Sequence, residues 1–412
     1  NQGNGIMKIW ILSIFFDAYA LAYVGTYPIT LFTLVTILAV LSKAKNEMRC
    51  FKIENNASVK AALLMVVYLI INYCVTGFKN SNSLMLSIMY FMVFIVTTRR
   101  EKEQTFESHM EFFSKIMNVI AVYGIYQFAA RIYNLPFSDI VIDGHMVTGY
   151  NWTNRVRFLG QYFYRSNAIF REPSFFSQFL AINLLLLILK FLDTSYKKKT
   201  KVSWILINAI AMILTFSGTG FIILIVGFLF YAIRKLDNKV LRGRILLILL
   251  AGIAVLIALL QTPVGAYFTQ RLQEIFVYNT DNFSGYVRFR GGRDVLADAW
   301  AKKPFFGTGI GTASEFIKSM QNYYDGLTVN GLYRPAVELG VAGEFFWIVF
   351  LGSIVLRKEF NEKFKMLQCI IIPFLICHET FQSNYYWILL YMLNVTLIYQ
   401  TDDRIYNKYR EV

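Results

Sequence analysis

Histidine is almost absent from this chain. Three occur in 412 residues, at His109, His145 and His378, with no spacing that lets two share a metal ion. That argues against a His-based metal site. Cysteine is scarce as well. Cys50, Cys74, Cys369 and Cys377 show neither zinc spacing nor a pairing pattern, so a structural apolar role outweighs a redox one. Acidic residues number 26 against 41 Lys and Arg, which leaves a net charge of +15. Such a surplus invites a nucleic-acid reading, but its distribution along the chain argues against one. No soluble domain is appended, and no clear internal repeat points to an inverted-repeat transporter.

Apolar runs are present in excess. Hydrophobic residues make up 56% of the chain, and mean hydropathy is +0.46. A bilayer core needs about 20 apolar residues per helix. Spans are read near 6–23, 27–42, 59–76, 83–98, 110–132, 173–192, 202–216, 219–233, 245–261, 338–356, 366–380 and 384–400. The first imitates a signal peptide, with Lys8, an apolar run and small residues at Ala18, Ala20 and Ala22, and is kept here as a span. The expected fold is therefore all-α and polytopic, a single membrane domain over 1–412 with about twelve transmembrane helices.

Charge sets the orientation. The loops 43–60, 99–102, 190–201, 234–244, 357–365 and 404–410 hold 25 of the 41 Lys and Arg, and all fall on one side of a twelve-span arrangement. The short loops opposite, near 24–26, 217–219 and 381–383, hold none. This is the positive-inside pattern, and it predicts two cytoplasmic termini. The chemistry is then expected in two large outer loops, 133–172 and 262–337. The first loop carries Arg155, Arg157, Arg165 and Arg171 but no Lys. The second carries Arg271, Arg288, Arg290, Arg293 and Arg334 among its cations. The planar fork of Arg binds phosphate in a bidentate way and stays charged when half-buried. Aromatics such as Tyr150, Trp152, Tyr278, Tyr324 and Tyr333 accompany these arginines. Interface anchoring explains any single ring, whereas rings beside phosphate-binding forks fit a lipid-linked sugar phosphate.

Phe170-Arg171-Glu172-Pro173-Ser174 begins the sixth span. Pro in a first helical turn and Glu near the helix start are ordinary features, but a cation there opposes the dipole. Arg171 therefore pairs with Glu172 or awaits an anion. Gly292-Arg293-Asp294 leads into Val295, Leu296, Ala299 and Trp300. The spacing predicts a short amphipathic helix, as consistent with simple surface packing as with a site. The run from Gly307 to Thr312 follows no βαβ pattern and reads as a tight turn, not a nucleotide loop. Asn330-Gly331-Leu332-Tyr333-Arg334-Pro335 precedes Glu338 through Gly343, and Arg334 and Glu338 have the spacing of a plain ion pair. Ser217-Gly218-Thr219-Gly220 is a tight turn between two spans. His378-Glu379 sits near the outer end of a span, where ionisable groups are costly and are candidates for function.

These motifs, in this order and topology, resemble the bacterial O-antigen polymerase family (Wzy), within the superfamily that includes O-antigen ligases. The resemblance covers about residues 150–350 by motif and the whole chain by topology. It implies a metal-independent glycosyltransferase of the bacterial inner membrane, with its active site on the periplasmic face and no cofactor. Donor and acceptor would both be undecaprenyl-pyrophosphate-linked oligosaccharides, and undecaprenyl pyrophosphate would leave. Membrane lipid and a chain-length-regulating co-polymerase (Wzz) are the implied partners, and nucleic acid is not one. For the pyrophosphate the expected residues are Arg293 and Arg171, then Arg290, Arg334 and Arg165. For the base they are Glu172, then His378, with Glu379 and Glu338 behind. Tyr333, Asn330 and Trp300 are expected to meet substrate.

Two departures from the superfamily stand out. Gly218 occupies the place after Ser217 where Arg is frequent, so Arg165 or Arg171 is expected to substitute. Val329 stands where ligases carry His before Asn330, which favours polymerase over ligase to the lipid A core. A polysaccharide or lipid-linked sugar transporter, and a structural partner of an export complex, are the readings from other classes.

Overall fold

The computed structural model describes residues 2–24, 27–47, 57–97, 103–147, 150–151, 154–158, 160–192, 200–234, 284–321, 323, 327–356, 365–378 and 380–397, with isolated positions between 243 and 277. Its main helices are α1 (Gln2–Ile14), α2 (Leu31–Glu47), α3 (Ala57–Val75), α4 (Ser81–Thr97), α5 (Glu103–Tyr133), α6 (Pro173–Leu192), α7 (Val202–Leu214), α8 (Gly218–Arg234), α9 (Gly292–Lys302), α10 (Ala313–Lys318), α11 (Tyr333–Val355), α12 (Lys365–Cys369), α13 (Ile371–Ile376) and α14 (Asn384–Leu397), with a helical turn at Ser284–Tyr286 and a π-helix at Val287–Gly291 leading into α9. Two hairpins accompany them, β1 (Ala20–Val24) with β2 (Tyr27–Thr30), and β3 (Arg155–Phe158) with β4 (Gln161–Tyr164). Among the described residues α3, α6 and α11 are long and apolar enough to cross a membrane, and Ser81–Val96, Val202–Leu214, Gly218–Ile233 and Lys365–Ile376 are shorter apolar helices. The span read at 245–261 lies outside the described residues, isolated positions aside.

Three expected spans differ in form, and the one read at 27–42 is strand β2 up to Thr30 and helix α2 only from Leu31. Residues 6–23 are helical only to Ile14, after which the chain turns into β1. Tyr23, Val24 and Ile29 favour extended backbone, and the strand edge is occupied: the Ala20 amide donates to the His145 carbonyl at 2.6 Å and the Val147 amide to Ala18 at 3.1 Å. The span read at 366–380 is two short helices, α12 and α13.

The chain forms two compact units: residues Asn1–Ala39, Glu103–Thr269 and Lys365–Ile370, and residues Val40–Lys102, Gln270–Phe364 and Ile371–Val412. In the first, α6 is mostly apolar, with a leucine run from Leu184 to Leu187, and it is buried against α5, α7 and α8. Gly220 of α8 allows the closest approach, since a Cβ there would lie 2.1 Å from Ser177 Oγ. Three buried amides join α5, α6 and α7. Asn183 Nδ2 donates to Asn118 Oδ1 at 3.0 Å and Asn208 Oδ1 at 2.9 Å, and Asn208 Nδ2 donates to Asn118 Oδ1 at 2.7 Å. Such interhelical bonds contribute about 0.6–2 kcal/mol each in lipid.

In the second unit α3 packs on α11, while Tyr90, Phe91, Trp347, Phe350 and Trp387 stack where α4, α11 and α14 meet. Helix α11 is broken. Gly340 has φ 70° and ψ −170°, outside any helix. A break inside an apolar helix strands backbone groups that lipid cannot satisfy. Here the glycine run fills it. Thr308 N donates to Val337 O at 3.0 Å, Gly309 N to Glu338 O at 2.8 Å, and Tyr68 Oη to Leu339 O at 2.5 Å. On the far side of the break, Val341 N donates to Pro304 O at 2.9 Å. The Gly307–Thr312 run is thus the tight turn its composition predicts, and it also repairs a helix.

Candidate functional site

In the first unit the segment from Arg165 to Glu172 is fixed in place by the end of α5. Gln127 Oε1 accepts from Ser166 Oγ at 3.1 Å, Asn167 N at 3.0 Å and Ala168 N at 2.8 Å. Arg131, buried on the last turn of α5, pairs with Asp139 and donates to the Arg165 carbonyl at 2.5 Å and Asn167 Oδ1 at 3.0 Å. A lone arginine ending an apolar helix was the only sequence signal for it. Its fork meets several acceptors at once, which a lysine cannot do. Arg131→Lys is therefore expected to cost about 1–3 kcal/mol, measured as a lower melting midpoint of the purified protein, with Lys201→Arg on the surface as the unaffected reference. Beside this network burial pushes the Tyr150 phenol above its usual range; the nearby Asn167 amide and Arg131 charge work against that rise, and Asp139 adds to it. Tyr150 is thus neutral at physiological pH.

The network aims Arg165 at the Ser217 turn. Arg165 Nε donates to Thr215 O at 2.8 Å, and its Nη1 donates to Asn154 Oδ1 at 3.3 Å. Two helices begin at this turn, α6 at Pro173 and α8 at Gly218. Thr219 Oγ1 donates to Ser174 O at 3.4 Å and Ser177 Oγ to Ser217 O at 3.4 Å, so the two starts are adjacent. Arg171 and Glu172 lie half-buried before α6, and Ser174 Oγ donates to Glu172 Oε2 at 3.0 Å. Gly218 is exposed, and a Cβ on it would meet nothing within 4 Å. An open space at one helix start, adjacent to a second and with Arg165 against the turn, suits an anion.

In the second unit α9 is the amphipathic helix its spacing predicts. Val295 and Ala299 pack with Ala313, Ile317, Val329 and Val337. Arg293 is exposed at its start, and Arg290, also exposed, lies over the Phe276 ring. Trp300 at its other end donates Nε1 to Ala336 O at 3.1 Å and keeps 37% of its surface exposed. Asn330 Oδ1 accepts from the amides of Leu332 and Tyr333 at 3.0 Å each, so it caps the start of α11. Tyr333 is half-buried, against Gly292. Glu338 is wholly buried; it accepts from Arg334 Nε at 2.8 Å, Gly311 N at 2.9 Å and Ala313 N at 3.3 Å. His378 is buried, stacked on Phe374 at 4.8 Å, and its carbonyl accepts from Gly331 N at 2.6 Å. Glu379 lies outside the described residues.

The expected residues thus form two groups. Arg165, Arg171 and Glu172 gather at the paired helix starts of the first unit. Arg290, Arg293, Trp300, Asn330, Tyr333, Arg334, Glu338 and His378 belong to the second.

Residues 6–397 match the WcaD colanic acid polymerase family. The chain belongs to that family. Every candidate residue lies inside the matched range. No curated protein sequence matches the chain. Membership is consistent with a Wzy-type polysaccharide polymerase, as the motifs anticipate, and implies glycosyl transfer between repeat units. A WcaD-family polymerase acts on lipid-linked oligosaccharides, and the arginines gathered at helix starts suit their phosphates.

Proposed function

We propose that this protein joins undecaprenyl-pyrophosphate-linked oligosaccharide repeat units at the periplasmic face of the bacterial inner membrane. It releases undecaprenyl pyrophosphate, uses no metal, and keeps both termini in the cytoplasm. The observation that carries the reading is Arg165 against the Ser217 turn, beside the open start of α8. Where relatives of the wider superfamily bring Arg on the turn itself, this chain brings one from fifty residues upstream. The reaction involves two pyrophosphate-bearing lipids, and the chain offers two arginine groups. Arg165 and Arg171 hold one headgroup at the helix starts. Arg293 and Arg290 hold the other, where negative charge builds as the sugar departs. Colanic acid or a related surface polysaccharide is the product class.

Purified protein in proteoliposomes with the matched lipid-linked repeat unit should yield a ladder of polymers on a gel. Arg165→Ala and Arg293→Ala should each slow ladder growth about 10- to 100-fold, since a lost charge-assisted contact costs about 1.5–3 kcal/mol. No ladder from wild-type protein would refute the polymerase reading and bring ligase or transporter forward. A ladder unchanged in Arg165→Ala would remove the helix-start site.

A further inference from the structure

Glu344 is an acid inside α11, one turn past the Gly340 break, and no sequence motif singled it out. The residues on either side of it along the helix, Val341, Phe345 and Ile348, are exposed, and Gly343, Trp347 and Phe350 are buried. Glu344 therefore lies on the border between an outer apolar stripe and the packed interior, half-buried. A carboxyl inside such a helix is expensive and is a candidate for function. Its Oε2 is buried with no hydrogen-bond partner among the described residues.

The break determines what the carboxyl faces. In a straight helix residues 336 and 344 would stand about 12 Å apart. The turn at Gly340 instead brings the Ala336 backbone amide against the Glu344 carboxyl. The carbonyl of the same Ala336 is held by the Trp300 indole at 3.1 Å. One residue's backbone thus joins a carboxyl with an unfilled oxygen to a part-exposed aromatic ring. A ring to stack on a sugar face and an oxygen to accept a hydroxyl are the two elements of saccharide recognition. The other acids near here are committed: both oxygens of Glu338 accept from Arg334 or from backbone amides.

Resting on the polymerase reading, we propose that Trp300 and Glu344 form the acceptor-sugar subsite, with Glu344 as the general base. The acceptor hydroxyl oxygen bonds to the donor's anomeric carbon. The bond from that carbon to the pyrophosphate oxygen breaks, and its electron pair leaves on undecaprenyl pyrophosphate. The hydroxyl proton passes to the Glu344 carboxylate and then to solvent.

The test is the proteoliposome ladder assay with varied acceptor, run on wild type, Glu344→Gln, Glu344→Asp, Glu172→Gln and Trp300→Ala. Glu344→Gln keeps shape but cannot take a proton, so kcat should fall about 10²–10⁴-fold at a nearly unchanged acceptor KM. Glu172→Gln removes the rival base and should lower kcat less than Glu344→Gln does. Trp300→Ala should raise acceptor KM about tenfold with kcat little changed. Glu344→Gln with wild-type kcat, or loss of kcat in Glu172→Gln alone, overturns the assignment while leaving the polymerase intact. An unchanged KM in Trp300→Ala overturns the subsite. Should Glu344→Gln not fold, Glu344→Asp decides: the shortened carboxyl should lower kcat, and wild-type kcat refutes it. A wild-type protein that makes no ladder refutes the polymerase reading, and this proposal falls with it.

Discussion

Gly340→Ala is expected to cost about 3–6 kcal/mol and to unseat the loop that fills the break in α11. Two effects add. The backbone at φ 70° and ψ −170° is nearly closed to any residue with a Cβ. A Cβ there would also lie 2.3 Å from Phe305 O and 2.6 Å from Gly307 N, both backbone atoms that cannot swing away. Relief requires Pro304–Gly309 to move. That withdraws the amides that satisfy Val337 O and Glu338 O, and the Pro304 carbonyl that satisfies Val341 N. The measurement is the melting midpoint in detergent together with amide hydrogen exchange at Thr308 and Gly309, both of which should lose protection. Gly352→Ala in the same helix is the reference. Its Cβ would meet only Leu356 Cδ1 at 4.0 Å, so it should be neutral or stabilising by about 0.5–1 kcal/mol. If Gly340→Ala melted like Gly352→Ala, the break would not be a fixed feature of the fold.

That break also marks where sequence reading stops. The apolar runs that became α3, α6 and α11 were plain from hydropathy, because a bilayer sets their length. The short amphipathic helix at Gly292 and the Arg334–Glu338 pair followed from helical spacing. Gly340 gave no such signal. In Glu338-Leu339-Gly340-Val341 it reads as an ordinary small residue in a membrane helix. What makes it a break is a set of donors from Tyr68, Thr308 and Gly309, distant in sequence. Glu344 was missed for the same reason, since only the break turns it back toward Ala336. Arg131 and Arg165 show the same limit in the first unit. Arginine-rich composition nominated Arg165, but its partner Thr215 lies in another segment of the chain. At the other end of the chain, the hydropathy of residues 6–23 concealed a hairpin, because β-branched and aromatic residues serve a strand as well as a span.

Glu338→Ala is the second large effect, and it separates a structural acid from a reacting one. Its carboxylate is fully buried, while Arg334 is 16% exposed. Removing it leaves Arg334 Nε and the amides of Gly311 and Ala313 without their acceptor. Breaking a buried pair from one side costs about 3–5 kcal/mol, because the remaining charge loses its counterion. Much of that cost should be recoverable. Arg334→Met with Glu338→Leu removes both charges at similar volume, and the double variant should melt above Glu338→Ala by about 1–3 kcal/mol equivalent. The Gly311 and Ala313 amides, left without an acceptor, keep it below wild type. Glu338→Gln keeps one carbonyl oxygen and should fall between them. If Glu338 serves only the fold, initial rates across the series should follow the folded fraction, with acceptor KM unchanged in the protein that remains folded. A double variant that folds fully yet forms no glycosidic bond, while Glu344→Gln still forms it, would move the base to Glu338. Arg334 would then be its positioning partner, and the buried pair would be part of the chemistry instead of its support.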